Sequence, residues 1–130
     1  MSHWTTVQAS IRDLDSLEDA LKKMGYKNIK RNTTCRGYGG STRNCDLVVV
    51  GARDRYDIGF KLNGDKTEIV GDFSMMGVNE KKFRDEVTQK YSYAKILKAL
   101  KKKGYTGIRE RVEKDGTIKL SVNLRGQRYS

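Results

Sequence analysis

The 130-residue chain has no proline, one histidine, one tryptophan and two cysteines. Without proline it offers neither a Pro-rich ligand nor a Pro-rich disordered linker. No apolar run approaches the length of a membrane span. The opening Met1-Ser2-His3-Trp4 lacks the basic-then-apolar pattern of a secretory signal, so a cytoplasmic location is expected. With His3 as the only imidazole, a His/Glu metal set spread over two strand–helix–strand modules cannot be assembled in its usual form, and no cofactor is expected. Cys35 and Cys45, ten residues apart, do not make a zinc site. They flank a glycine-rich segment, where they are expected to stay reduced, although a bridge across a hairpin is geometrically conceivable.

Acidic residues are also in short supply. Lysine and arginine outnumber aspartate and glutamate 27 to 16, for a formal net charge of +11 and a pI near 9.7. A solvated surface does not need this excess; a polyanion is its ordinary explanation and an acidic protein surface the next.

The only glycine cluster is Arg36-Gly37-Tyr38-Gly39-Gly40-Ser41-Thr42-Arg43. Its first four residues fit the opening of an RNA-recognition signature. Gly40, Ser41 and Arg43 then replace the aromatic, valine and aromatic that the base-stacking platform needs. It is not a phosphate-binding P-loop either, since no G-x-x-x-x-G-K-[ST] occurs. What remains is a flexible hairpin loop carrying two guanidinium groups and a ring, which suits a phosphate or a carboxylate.

The alternation of apolar residues predicts an α+β domain. Residues 3–11 read as a strand. A helix follows with Asp15 as cap and Glu18 three residues on, and it ends at Gly25. Strands are expected over 26–34, 45–50, 56–62 and 66–73, with the β-branched run ending at Val50 in a central position and Asn63-Gly64 at a hairpin turn. Met75-Met76-Gly77 reads as an apolar connector. A helix begins after Asn79, Ser92 starts a second helical segment, and Gly104 ends it. A last hairpin turns around Lys114-Asp115-Gly116. Asp46, Asp57, Glu68 and Asp72 fall mostly opposite the apolar faces, where charged residues are expected to be solvated.

Residues 20–29 and 99–108 share seven of ten positions, both running from Ala-Leu-Lys-Lys to Gly-Tyr and Ile. Two pseudo-repeats, about 3–52 and 66–124, are therefore expected within one domain spanning 1–130. The predicted product is a curved antiparallel sheet with helices packed on one face, built from a duplicated strand–helix–strand–strand unit. Lys22 and Lys23 would correspond to Lys101, Lys102 and Lys103. Lysines in a last helical turn also complement the helix dipole; Arg109, Arg111 and the loop arginines are not explained that way.

Several motifs carry a family resemblance in order along the chain: Met1-Ser2-His3-Trp4-Thr5-Thr6, Arg36-Gly37-Tyr38-Gly39-Gly40, Tyr56-Asp57-Ile58-Gly59-Phe60 with Asn63-Gly64, Gln89-Lys90-Tyr91-Ser92-Tyr93, and Asp115-Gly116-Thr117-Ile118. The chain resembles the hypothetical chloroplast reading frame thirty-five family of cyanobacteria and plastids. That resemblance implies a plastid stroma if the protein is organellar, and transfers no catalytic residue. Members of the family tend to carry paired tryptophans where this chain has Phe73-Ser74-Met75-Met76-Gly77, and often a histidine in place of Ala94. A divergent basic member, carried by a phage or other mobile element, would fit these departures.

No Ser/His/Asp, Cys/His or paired-carboxylate arrangement follows from spacing, so the chain is not read as an enzyme. The expected function is nucleic-acid binding through Arg36, Tyr38, Arg43, Lys22, Lys23, Lys101, Lys102, Lys103, Arg109 and Arg111, with Tyr38 stacking on a base. Replacing Arg36 and Arg43 by alanine is then expected to weaken binding whatever the base sequence. The alternative is an adaptor or inhibitor docking on an acidic partner through the open sheet face and Met75-Met76.

Overall fold

In the computed structural model, which describes residues 4–124, alternating apolar positions build a five-stranded antiparallel sheet in the order β1-β5-β4-β3-β2. The strands are β1 (Thr5–Ala9), β2 (Ile29–Arg36), β3 (Thr42–Arg53), β4 (Tyr56–Asn63) and β5 (Lys66–Gly71). The β-branched β3 lies in the interior of the sheet, as its composition predicts. Three helices accompany the strands: α1 (Leu14–Lys23), the single turn α2 (Phe73–Met76) and α3 (Glu80–Lys102). Strands β6 (Tyr105–Val112) and β7 (Ile118–Leu124) form a separate two-stranded sheet. The chain divides into two compact units, Met1–Ala94 and Lys95–Ser130.

Within the first unit the helices cover one face of the sheet. The register sets Leu47, Phe60, Ile69 and Val7 side by side across four strands. Leu17, Ala20 and Leu21 of α1, Phe73 and Met76 of α2, and Phe83, Val87 and Tyr91 of α3 complete this core. Gly71 lies under α2: a methyl group there would press within 3.2 Å of Met76 Cε and 3.3 Å of Phe73. Phe83 sits in a ring cluster, its centroid 6.0 Å from Phe73, 6.2 Å from Phe60 and 6.3 Å from Tyr26. The Tyr91 hydroxyl accepts from the Arg12 and Asp13 backbone N–H groups, which ties α3 to the entry of α1.

Local signals decide the helix ends. Asp13, not Asp15, caps α1: its carboxylate accepts from the Asp15 N–H at 3.0 Å and the Ser16 hydroxyl at 2.7 Å. Asp15 falls instead in the first turn, where its charge suits the dipole. At the other end the Tyr26 N–H reaches the Leu21 carbonyl and the Gly25 N–H the Lys22 carbonyl, a Schellman arrangement with Gly25 at φ +98. Gly104 closes α3 at φ +90, so both copies of the repeated decapeptide run from helix end through left-handed glycine into strand. Their strands pair differently, β2 with β3 and β6 with β7. Ser92 does not break α3: it lies inside the helix, between the buried Tyr91 and Tyr93. The expected connector at Met75-Met76 is the turn α2, capped by Asp72 and closed by Gly77 in the left-handed region.

Since Phe83 joins three other rings at the centre of this core, Phe83→Ala is expected to cost about 3–5 kcal/mol. A urea melt of the two proteins measures the difference; a loss under about 1 kcal/mol would contradict this packing.

Candidate functional site

The end of the β2–β3 hairpin folds over the sheet face that the helices leave open. In strand order β3 and β4 separate β2 from β5, yet Cys35 Sγ of β2 lies 3.9 Å from the Val70 carbonyl of β5. Asn32 of β2, at φ +50, and an irregularity in β3 between Val49 and Arg53 interrupt the regular strand geometry of this hairpin. Beneath its end is a second, small apolar cluster of Cys35, Cys45 and Val48, with Trp4 and Val50 against it. The open sheet face expected to serve as a docking surface is in this region occupied by the chain's own hairpin.

Two glycines permit the approach. Gly59 faces the hairpin, and a methyl group there would overlap Cys45 Sγ and press within 3.1 Å of Cys35 Cβ. Gly37 lies against the indole of Trp4, where a methyl group would come within 2.7 Å of Cζ2. An isolated glycine inside an alternating strand marks such a close approach.

The polar fastening is Asp57. Its side chain is 1% exposed and receives four hydrogen bonds: Arg36 Nε at 2.9 Å, Arg36 Nη2 at 2.8 Å, the Arg36 N–H at 2.8 Å and the Gly51 N–H at 2.7 Å. Burial works to raise the Asp57 carboxyl. The bonds from the Arg36 side chain and from the two backbone N–H groups outweigh it and hold the group below the ordinary aspartate value. The Asp57 carboxylate in turn raises the Arg36 guanidinium, chiefly through their hydrogen bonds. Asp72 is buried as well, and accepts from the Tyr38 N–H at 3.4 Å and the Met75 N–H at 3.4 Å. Both aspartates were expected to be solvated. They are buried because the hairpin end and α2 bring donors to them.

The glycine loop is therefore anchored. Its centre is a 3-10 turn, Tyr38–Gly40, closed by Gly37 N–H to the Ser41 carbonyl at 2.8 Å. Arg36, 47% exposed, is clamped on Asp57, and Arg43, itself exposed, lies over the Trp4 ring at 5.0 Å. Tyr38 is 41% exposed, beside an open groove that runs to Arg55 and Tyr56. The missed residues are Asp57, Asp72 and Trp4; the glycine at position 59 is the sequence signal that something covers that face.

The remaining expected contacts fall in two places. In the first unit Lys22 pairs with Glu18 at 3.2 Å, and Lys23 stands over the Tyr93 ring at 3.9 Å. In the second unit Lys101, Lys102, Lys103, Arg109 and Arg111 are all exposed, with Arg111 paired to Glu113 at 2.8 Å. Met76 is buried in the core, so of the expected methionine pair only Met75 offers an exposed side chain. His3 and the basic tail 125–130 lie outside the described residues. Among the described residues no helix is long and apolar enough to cross a membrane, and no three His, Cys, Asp or Glu side chains gather to hold a metal.

If the Arg36–Asp57 pair fastens the hairpin, Arg36→Ala is expected to cost about 2–4 kcal/mol, somewhat below a fully buried pair because Arg36 is half exposed. The sign with pH follows from the lowered Asp57 group. Its contribution is fully present above the unfolded aspartate value, about 3.9, and is lost as pH falls through the lower folded value. Urea melts across this range should show Asp57→Asn less stable at neutral pH, with the gap from the parent closing in acid. A gap independent of pH would exclude the ion pair as its cause.

Residues 20–121 match the family described as "Protein of unknown function (DUF1257)". A relative from Guillardia theta, "Uncharacterized protein ycf35", is 30% identical over 124 residues, covering 94% of this chain and 96% of that protein. The protein of the same name from Pyropia yezoensis is also 30% identical with the same coverage, and that from Cyanophora paradoxa is 27% identical. These relatives bear out the resemblance read from the motifs. No solved structure matches the chain.

Proposed function

The chain belongs to the DUF1257 family, and we propose that this protein acts as a non-enzymatic nucleic-acid-binding domain, with its second unit as the principal contact surface. The uneven distribution of charge carries this reading. Residues 95–130 hold 11 of the 27 lysines and arginines but three of the 16 acidic residues, and so +8 of the net +11. All nine basic side chains between Lys95 and Lys119 are exposed. The first unit is nearly balanced, and several of its cations are matched by acids: Arg12 with Asp65, Lys22 with Glu18, Arg31 with Asp15 and Glu18, Arg36 with Asp57, and Arg84 with Asp85.

The second unit also has reason to bind something. Among its described side chains none is buried, and Ile96 and Val112 are exposed. A two-stranded hairpin of this kind is marginal alone. A phosphate backbone against Lys101, Lys102, Lys103, Arg109 and Arg111 supplies counter-charge and order together. Arg36 contributes through stability rather than contact, and Tyr38 is the loop residue left to stack on a base. A location in the cytoplasm, or in the stroma of a plastid, accords with this reading.

Fluorescence anisotropy with labelled single-stranded RNA, single-stranded DNA and duplex DNA tests it. Affinity is expected to fall steeply with salt for every sequence. Replacing Lys101, Lys102 and Lys103 with alanine should lower the salt slope by about one for each phosphate that is no longer neutralised. Binding that ignores salt, or none at low salt, would sink the reading. One protein partner retained at stoichiometric amounts after nuclease treatment would replace it with docking on an acidic protein surface.

A further inference from the structure

Cys35 and Cys45 are both free, buried side chains in one apolar cluster, and the absent side chain of Gly59 leaves the space where they meet. They are not equivalent. Both side chains stand beside Gly59, and the Cys35 thiol donates to the Val70 carbonyl at 3.9 Å. Cys35 faces inward to the Val70 carbonyl and has no exposed surface. Cys45 is 6% exposed and lines an open pocket of about 520 Å³ together with Thr33, Thr34, Asn44, Asp46 and Lys61. The pocket is open, its lining is of mixed polarity, and Lys61 shares that lining with Cys45.

We propose that Cys45 is a hydroperoxide-reactive thiol, that this pocket is its access route, and that Cys35 is its resolving partner. In the first step the Cys45 thiolate attacks one peroxide oxygen. An S–O bond forms, the O–O bond breaks, and hydroxide leaves; the sulfur loses two electrons and the peroxide gains them. In the second step the Cys35 sulfur attacks the Cys45 sulfenic acid. The S–S bond forms, the S–O bond breaks, and water departs with the Cys35 proton. The peroxide is the only oxidant required, and the two thiols provide both electrons.

The electrostatics agree with this division of roles. The neighbouring Cys35 thiol, with Lys61 and Arg43 nearby, lowers the Cys45 thiol against the opposing effect of burial. The Cys35 thiol is raised, first by its pairing with Cys45 and then by burial. Asp46 next to Cys45 and Asp57 near Cys35 act in the opposite sense to the cations.

The test is to treat the folded, reduced full-length chain with hydrogen peroxide and follow its intact mass. The expected product has lost two hydrogens, and peptide mapping places one bond between residues 35 and 45. The reaction should run about tenfold faster than that of free cysteine at neutral pH, as a larger thiolate fraction requires. Cys35→Ser should stop at a sulfenic acid on Cys45 that dimedone traps, and Cys45→Ser should resist oxidation. The parent protein alone keeps the test decisive should either variant fold poorly. Oxidation seen only in denaturant, a bond between two chains in place of the internal one, or a rate no greater than that of free cysteine would each overturn the proposal.

Discussion

The first unit depends on one buried carboxylate. Asp57 sits on the sheet face away from the helices, and the end of the β2–β3 hairpin closes over it with Arg36 as the fastening. A carboxylate taken out of water is costly unless it is paired and fully hydrogen-bonded. Here the Arg36 guanidinium and the backbone N–H groups of Arg36 and Gly51 meet that requirement together. The same closure seats Cys35 and Cys45 over Gly59 and sets Gly37 against Trp4. Replace Asp57, and the hairpin end loses its Arg36 fastening and keeps the longer Tyr38 N–H bond to Asp72.

That constraint divides the basic residues into two kinds. Several of those of the first unit serve the unit's own acids and rings, as Arg36 serves Asp57 and Lys23 the Tyr93 ring. Those of the second unit outnumber the acids near them and stand exposed on the end of α3 and on the β6–β7 hairpin. Net charge alone does not tell these kinds apart; their neighbours do. A glycine loop with an arginine at each end suits a phosphate or a carboxylate in sequence, and in the structure its first arginine is on the Asp57 carboxylate.

The elements whose signals are local were legible. Alternation marked β4 and β5, Gly25 and Gly104 marked helix ends, and Asn79 marked the start of α3, where it accepts from the Lys82 N–H at 2.9 Å. The turn at Asn63-Gly64 was legible as a turn, though its positive φ belongs to Gly64. What failed depended on distant partners. Asp57 and Asp72 read as solvated because alternation shows which face a residue takes, not whether something later covers that face. Ser92 read as a cap because a serine before a helical stretch has the same sequence signature inside a helix and at its start. The candidate cations were legible as a charge excess, but Arg36 and Lys23 find their partners, Asp57 and the Tyr93 ring, on other elements.

Amide hydrogen exchange with and without a single-stranded oligonucleotide, read peptide by peptide, tests most directly which part of the chain meets nucleic acid. The account predicts slowed exchange across 95–121, where no described side chain is buried, and in the already fastened loop 36–43 at most a local change at Tyr38. Slowing confined to 36–43, or none anywhere at a saturating oligonucleotide concentration, would contradict it.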